Sequence, residues 1–195
     1  MKIKQTLAIA LLASVTSFAP TLSAQNGEAA STETSTLQAS VDALIAAALA
    51  NPDLDLTDPA SVQAAIQSVM SSAYATVSNP TAADTQVIAS TVMSSFTVQI
   101  QAQSVDSANT ADVIKSAATA IVSAAVTATG ADSAETIKAA TKGATAGAIE
   151  AGVPASDAIT AVAEAATTGA INAGVDLATA EAAITEGATE AGTEA

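Results

Sequence analysis

The sequence AIEAGV at positions 148–153 returns as AINAGV at positions 170–175. A second match is VMSS, which occurs at positions 69–72 and again at 92–95. Both matches include bulky residues or glycine, which recur by chance less readily than alanine does in an alanine-rich chain. A fixed period of roughly 20 to 50 residues is typical of arrays in which one structural unit is stacked repeatedly. The sequence therefore predicts an internal helical repeat.

Signals for the start of a helix follow a similar spacing. Most are residues whose side chains accept a hydrogen bond from a free backbone N–H in the first helical turn, and one is a proline. The positions are Ser35, Asp58, Thr81, Asn109, Asp132, Pro154 and Asp176. Short connections between helices favour antiparallel neighbours. We therefore expect an all-α fold: an array or bundle of about seven antiparallel alanine-rich helices with a 22–23 residue period.

Residues 1–24 have the composition of an export signal. Lys2 and Lys4 form a short basic region, residues 7–13 form an apolar stretch, and Ala24 is a plausible cleavage point, with cleavage one residue earlier left open. The apolar stretch is too short to span a bilayer as an ordinary helix. We expect residues 1–24 to be a signal peptide and the protein to be exported to the periplasm, the cell surface or the extracellular medium.

Three regions follow the signal. Residues 25–34 are small, polar and acidic and are expected to form a flexible leader. Residues 35–130 are expected to form four amphipathic helices, the first opened by a capping box at Ser35. Residues 131–195 are expected to form three helices rich in Ala, Gly and Thr, because they contain only nine Val, Ile, Leu, Met, Phe or Tyr residues. The two helical regions should therefore pack by different means.

The net charge of the chain limits the kinds of molecule that it is expected to bind. Without the signal, three lysines stand against 19 acidic residues, a formal net charge of −16, and arginine is absent from the whole chain. Nucleic-acid binding requires a basic surface that neutralises phosphates, and anionic lipid headgroups attract basic segments. We therefore expect no nucleic-acid partner, and an anionic membrane surface is disfavoured. No long apolar stretch after the signal predicts a transmembrane span.

Catalysis is difficult to build from this composition. The chain has no His, Cys, Trp or Arg, so it lacks an imidazole base and a thiolate nucleophile. A glycosidase needs paired carboxylates and usually aromatic platforms. Tyr74 and Phe96 are the only aromatic residues after the signal, and they lie on apolar helical stripes, which predicts core positions. We expect no enzymatic activity and no cofactor.

The loop DLDLTD at 53–58 is the one candidate metal site. The alternating carboxylates of Asp53, Asp55 and Asp58 look like the opening of an EF-hand calcium loop. That pattern requires glycine where this chain has Asp58 and glutamate where it has Ala64. The favoured interpretation is a solvated loop that caps the next helix, and a weak calcium site is the alternative.

Small residues form a ridge on the fifth predicted helix. Gly143, Gly147 and Ala151 lie four positions apart on one face, and this spacing lets two helix backbones approach closely. Tight packing within the chain is the first interpretation. A self-association surface formed by these three residues is the second.

The same predicted helix carries a cluster of charges. Glu135, Lys138 and Lys142 are three and four positions apart and can pair along the helix surface. A lysine nucleophile would require burial and a partner base. We therefore expect this cluster to be a solvated face.

The period resembles that of two known classes of helical protein. It is similar to the 22-residue period of lipid-binding apolipoproteins and to the 11-residue arrays of desiccation-protection proteins, but both carry abundant lysine. Alanine and threonine in helices resemble the alanine-rich ice-binding helices. Those helices need Thr at regular intervals, whereas here only Thr167 continues a hydroxyl series through Ser156 and Thr145. These likenesses keep two alternatives open, an amphipathic membrane-surface or stress-protection protein and, less favoured, an ice-binding protein.

The favoured hypothesis combines export, repetition and the lack of catalytic groups. We expect an exported, non-enzymatic helical-repeat protein with a structural or protein-interaction role in the cell envelope or extracellular matrix. Its partner would be a second copy of itself or another envelope or matrix protein.

Overall fold

Helices account for every regular element in the part of the chain that the structure, a computed structural model, describes: residues 28–103, 107–130 and 133–194. The helices are α1 (Glu28–Leu49), α2 (Pro59–Ala75), α3 (Ala82–Gln103), α4 (Ser107–Thr129), α5 (Ser133–Glu150), α6 (Ala155–Asn172) and α7 (Leu177–Glu194). The prediction of an all-α fold with seven helices is confirmed for these residues. The predicted signal peptide, residues 1–24, lies outside them.

Local chemistry sets the starts of α2 and α3. The Asp58 carboxylate accepts hydrogen bonds from the backbone N–H groups of Ala60 (3.1 Å) and Ser61 (3.2 Å), and proline occupies the first helical position. Thr81 and Asp84 form a reciprocal capping box. The Thr81 N–H donates to the Asp84 carboxylate at 2.9 Å, and the Asp84 N–H donates to Thr81 Oγ1 at 3.2 Å. Each bond satisfies a backbone donor that the helix itself leaves free.

The repeated hexapeptide forms the same helix end twice. At the end of α5 the N–H of Val153 donates to the carbonyl oxygen of Ala148 over 3.0 Å, and Gly152 between them has a φ of +91°. At the end of α6 the N–H of Val175 makes the same bond to Ala170, also 3.0 Å, and Gly174 has a φ of +88°. Glycine adopts this left-handed conformation at little cost, so it closes both helices.

The start of α1 differs from the prediction. The helix begins at Glu28, well before Ser35, and it includes residues 28–34 of the predicted flexible leader. This segment contains no proline or glycine that would stop a helix, and alanine favours the helical state. Serine can also lie inside a helix, as Ser40 does, where its hydroxyl donates to the carbonyl oxygen of Thr36 at 3.0 Å. The presence of Ser35, a residue type that often caps helices, was therefore not sufficient to place the start of α1.

Helices two apart in the chain pack side by side. In one layer α1 packs on α3, α3 on α5 and α5 on α7, and in the other layer α2 packs on α4 and α4 on α6. Gly143 of α5 lies against Gln86 of α3, and Gly147 lies against Ser90, so these two helices run parallel. Consecutive helices contact each other across the two layers. The described helices therefore form an array with α1 and α2 at one end and α6 and α7 at the other.

The core changes character along this array. Eleven of the twelve largest fully buried side chains lie before residue 130, and Ile137 is the twelfth. Phe96 is fully buried and Tyr74 is 5 % exposed, which confirms the prediction that both aromatic residues belong to the core. In α6 and α7 most buried positions are Ala or Gly. Because burial free energy follows apolar area, each contact in the second half contributes less than one in the first.

Among the residues that the structure describes, one helix is long and apolar enough to cross a bilayer by length and composition. It is the stretch Thr110–Thr129, which is most of α4. In the bundle α4 packs against α2, α3, α5 and α6, which is the position of a central core helix.

Candidate interaction surface

The small-residue ridge of α5 packs inside the chain. A methyl group placed on Gly143 would overlap the carbonyl oxygen of Gln86, and one on Gly147 would overlap the carbonyl oxygen of Ser90. Both glycines are buried, whereas Ala151 lies beyond the end of α5 and is half-buried. Of the two interpretations of this ridge, the structure favours packing within the chain. The face that Gly143 and Gly147 would offer for self-association is already covered by α3.

Two further glycines, which the sequence alone did not indicate, allow close approach between helices. A methyl group on Gly169 of α6 would lie 2.6 Å from the carbonyl oxygen of Thr119 in α4. One on Gly187 of α7 would overlap the carbonyl oxygen of Lys138 in α5. The repeat period could have indicated Gly169, because Gly169 lies one repeat after Gly147.

The lysines among the described residues form ion pairs between the same pairs of helices, α4 with α6 and α5 with α7. Every one of them contacts a glutamate two helices away, at the following Nζ to Oε distances: Lys115–Glu164 2.6 Å, Lys138–Glu186 2.6 Å, Lys138–Glu190 2.7 Å, Lys142–Glu190 3.5 Å and Lys142–Glu194 2.7 Å. We expected Lys138 and Lys142 to form a solvated cluster with Glu135. Instead the two lysines join α5 to α7, with partners too distant in sequence to be found from helical spacing.

Electrostatic consequences follow from these ion pairs. Hydrogen bonds to Glu186 and Glu190 raise the pKa of Lys138 above its usual value, and the bond to Glu194 raises the pKa of Lys142. The hydrogen bond from Lys138 lowers the pKa of Glu190. All these groups are at least partly exposed, so each pair contributes little to stability.

Buried positions recur with the period of the repeat. The buried residues of α6 are Ala158, Val162, Ala165, Ala166, Gly169 and Ala170. All six corresponding positions one repeat earlier, in α5, are buried as well. Of the six corresponding positions one repeat later, in α7, five are buried and the sixth is half-buried. Each of these helices thus turns the same side towards the helix two places before it.

The opposite side of α7 is bare, although the corresponding side of α5 is covered. Thr141 and Thr145 of α5 are fully buried on the side where α7 crosses. Their counterparts two repeats later in α7, Thr185 and Thr189, are again threonines and are exposed. The helix that would cover α7 in the same way is not among the described elements.

This bare side, which we call the α7 outer face, is a shallow groove of small residues with acidic edges. It consists of Ala178, Ala182, Thr185, Thr189 and Thr193, flanked by Glu181, Glu186 and Glu190, of which Glu186 and Glu190 form ion pairs with lysines of α5. The hydroxyls of Thr185 and Thr189 donate to carbonyl oxygens one turn earlier, at 2.8 Å and 2.7 Å, so they project little beyond the helix. The face combines a flat apolar strip with negative charge.

Exposed apolar side chains concentrate at the same end of the array. Among the described residues only Ile171 and Leu177 are large hydrophobic side chains that are exposed, each by 49 %. They lie on either side of the connection between α6 and α7. Ile149, the counterpart of Ile171 one repeat earlier, is half-buried and packs against the core.

The aspartates of the DLDLTD loop form turns and a helix cap. Asp55 accepts hydrogen bonds from the Thr57 N–H (2.8 Å) and the Thr57 hydroxyl (2.7 Å), and these bonds lower the pKa of Asp55. Asp58 caps α2, and Leu56 between them is buried. No group of three or more acidic residues within residues 28–103, 107–130 and 133–194 converges on a possible metal position. Asp53, Asp55 and Asp58 are therefore not brought together as calcium ligands.

No protein-family model, no curated protein and no solved structure matches the chain.

Proposed function

We propose that this protein is an exported, non-enzymatic helical-repeat protein with a structural or protein-interaction role in the cell envelope or extracellular matrix. The periodic recurrence of buried positions across α5, α6 and α7 is the observation that carries the proposal. It supports a repeat of alanine-rich helical units with antiparallel neighbours in the chain. Stacked repeats characteristically offer extended surfaces to other proteins.

The state of the lysines supports a role without catalysis. A lysine nucleophile must lose its proton near neutral pH, which requires a lowered pKa. Ion pairing instead raises the pKa of Lys115, Lys138 and Lys142, so these amines stay protonated. Burial raises the pKa of Tyr74 to about 12, which keeps its phenol protonated within the core.

Export is proposed from the composition of residues 1–24, which combine a short basic region with an apolar stretch. Fractionation of the native cells with an antibody against the protein would test it. We expect a product from which the signal peptide has been removed, found outside the cytoplasm. Full-length protein retained in the cytoplasm would contradict the proposal.

Circular dichroism in dilute buffer tests the other part of the proposal, that the chain folds as a helical array. A stable helical spectrum without lipid supports the array. A random-coil spectrum that becomes helical only with zwitterionic vesicles would contradict it and favour the membrane-surface alternative.

A further inference from the structure

We propose that two copies of this protein exchange α7, so that the α7 helix of each copy packs on the α5 helix of the other. This inference deepens the proposed function, on which it rests, because it identifies a second copy of the chain as a partner and names the element that joins the two copies. The site for the exchanged helix is the side of α5 that α7 covers within one copy. It is a different surface from the α7 outer face.

The first argument is the weak attachment of α7 to the rest of the array. It is the last described helix, and among the described helices it contacts only α5 and α6. Five of its six buried residues are Ala or Gly, and Ile184 is the only large one. Because burial free energy follows apolar area, α7 separates at a lower cost than a helix of the first half. An exchanged helix remakes the same contacts in the other copy, so the dimer needs no new surface to replace them.

The second argument is the fit between α5 and its occupant. Gly187 of α7 lies directly against the backbone at Lys138 of α5. The Nζ atom of Lys138 pairs with the carboxylates of Glu186 and Glu190, at 2.6 Å and 2.7 Å. A second copy carries the same glycine and the same glutamates. Its α7 is therefore a helix that this side of α5 already accepts in shape and in charge.

The third argument is the connection between α6 and α7. Gly152 ends α5 with a φ of +91°, and Gly174 ends α6 with a φ of +88°. Two residues after these glycines the chain has Pro154 in the first case and Asp176 in the second. Proline prevents a continuous helix there, because it lacks an N–H and its ring clashes with the carbonyl group four residues earlier. Asp176 imposes no such block, so a change of φ at Gly174 lets α6 continue into α7 and carries α7 away from its own α5.

The fourth argument is the position of the exposed apolar side chains. Ile171 and Leu177, each 49 % exposed, are the only large exposed hydrophobic residues in the described part of the chain. They lie on either side of the connection that has to open. In a reciprocal exchange both connections pass between the two copies, so these side chains can contact each other there. Their exposure in a single copy marks the connection as a contact region.

Chemical coupling of the ion pairs shows which copy supplies α7. Equal amounts of unlabelled and isotope-labelled full-length protein are unfolded in urea and refolded together at high protein concentration, and the dimer is separated by size-exclusion chromatography. A carbodiimide then joins lysine amines to the glutamate carboxylates that they contact, and the digested products are analysed by mass spectrometry. In the dimer, we expect about half of the products that join Lys138 to Glu186 or Glu190 to combine a labelled with an unlabelled segment. The monomer fraction is the control and should give only unmixed products.

Three variants test the opening of the connection. Gly174→Ala disfavours the positive φ, and its methyl group meets no other atom, so it favours the continuous helix. Gly152→Ala makes the same change in equally open space but is followed by Pro154, so it is the matched control. Asp176→Pro gives the α6–α7 connection the proline of the α5–α6 connection. Circular dichroism of each variant checks that the helical content is kept.

Sedimentation equilibrium gives the association constant of each variant. We expect Gly174→Ala to raise the dimer association constant at least about tenfold, and Gly152→Ala to leave it unchanged. We expect Asp176→Pro to lower it at least about tenfold. The coupling experiment is carried out on the dimers of both the original chain and Gly174→Ala, so a variant that loses helical content does not prevent a decision.

Three outcomes would overturn the inference. Neither the original chain nor Gly174→Ala could form a dimer, Gly174→Ala and Gly152→Ala could dimerise equally, or the dimer could give only unmixed products, which would place the contact between copies elsewhere. These failures leave the proposed function standing if the chain is helical and exported. A chain that is unfolded or cytoplasmic would instead contradict the proposed function itself.

Discussion

The two halves of this molecule bring helices together by different means. Through α1–α4 the contacts are made by bulky side chains such as Phe96 and Ile66, which are fully buried. Through α5–α7 they are made by glycines against a neighbouring backbone and by lysines that reach the next helix but one. The first half is stabilised by buried area and the second by close approach, so opposite changes should damage them. Removing volume harms the first half, and adding volume harms the second.

The largest expected effect is from the loss of volume in the first half. Phe96→Ala removes a fully buried ring from α3 and should lower the free energy of unfolding by about 3 to 5 kcal/mol. Ala144→Gly, at a fully buried position of α5, is the counterpart in the second half and should cost only about 1 kcal/mol. Urea unfolding followed by circular dichroism measures both. Equal losses would remove the distinction between the halves.

The next effect is from added volume in the second half. Gly147→Ala puts a methyl group against the backbone of Ser90 and Ser94, neither of which is a flexible side chain that can move aside. We expect a loss of about 1 to 3 kcal/mol in the free energy of unfolding. In an open helix the same substitution would stabilise by about 1 kcal/mol, so the sign of the effect is decisive.

Gly192→Ala is the matched control for that change. Its methyl group would meet only Cδ1 and Cγ1 of the Ile159 side chain, which can rotate away. This variant should be neutral or slightly stabilising in the same urea titration. If both glycine variants stabilise the protein, the close approach of α5 to α3 is contradicted.

A smaller effect is expected from helix capping, which differs between the starts of α2 and α6. Asp58→Ala removes the carboxylate that satisfies two backbone donors at the start of α2, and should cost about 1 kcal/mol. The start of α6 has no side-chain cap, so Ser156→Ala beside it should be close to neutral. The melting temperatures of the two variants give the comparison, and a larger loss for Ser156→Ala would reverse it.

The smallest effect is a pH dependence that belongs to the second half. Because pairing with Lys138 lowers the pKa of Glu190 in the folded protein, this interaction contributes fully above the unfolded value of 4.5 and is lost as pH falls through the folded pKa. The paired lysine has a raised folded pKa, so its contribution is complete below 10.5 and is lost as pH rises through the folded value.

The variant Lys138→Met isolates that dependence. The difference in melting temperature between the original chain and the variant should be constant from about pH 6 to pH 9 and shrink below pH 4.5. Lys115→Met, which removes the pair to Glu164 on α6, should give a smaller difference in melting temperature at neutral pH because Lys115 has one partner. A difference that grows on acidification would contradict the assignment.

Local chemistry made much of the fold predictable. Asp58 and Thr81 cap helices because their oxygens satisfy adjacent backbone donors, and Gly152 and Gly174 end helices because they adopt positive φ. These interactions join residues that are close neighbours in the chain. Sequence alone was therefore sufficient to place them.

Contacts between distant residues were not predictable in the same way. The spacing of Gly143 and Gly147 showed a small face but did not show that α3 covers it. The partner of Lys138 is 48 residues away, at Glu186, and no local pattern connects the two. The sequence did not indicate the α7 outer face. That face is recognised only by comparing which equivalent positions of α5 and α7 are covered, and this comparison requires the structure.

Amide hydrogen exchange on the full-length protein tests most directly whether the second half packs through close backbone approach. α5 is covered on two sides and α3 packs against it, so we expect the amides in the middle of α5 to be protected as strongly as those of α3, with α7 less protected than both. If the α5 amides exchange as fast as those of an unfolded peptide while α3 stays protected, the account of the second half is contradicted.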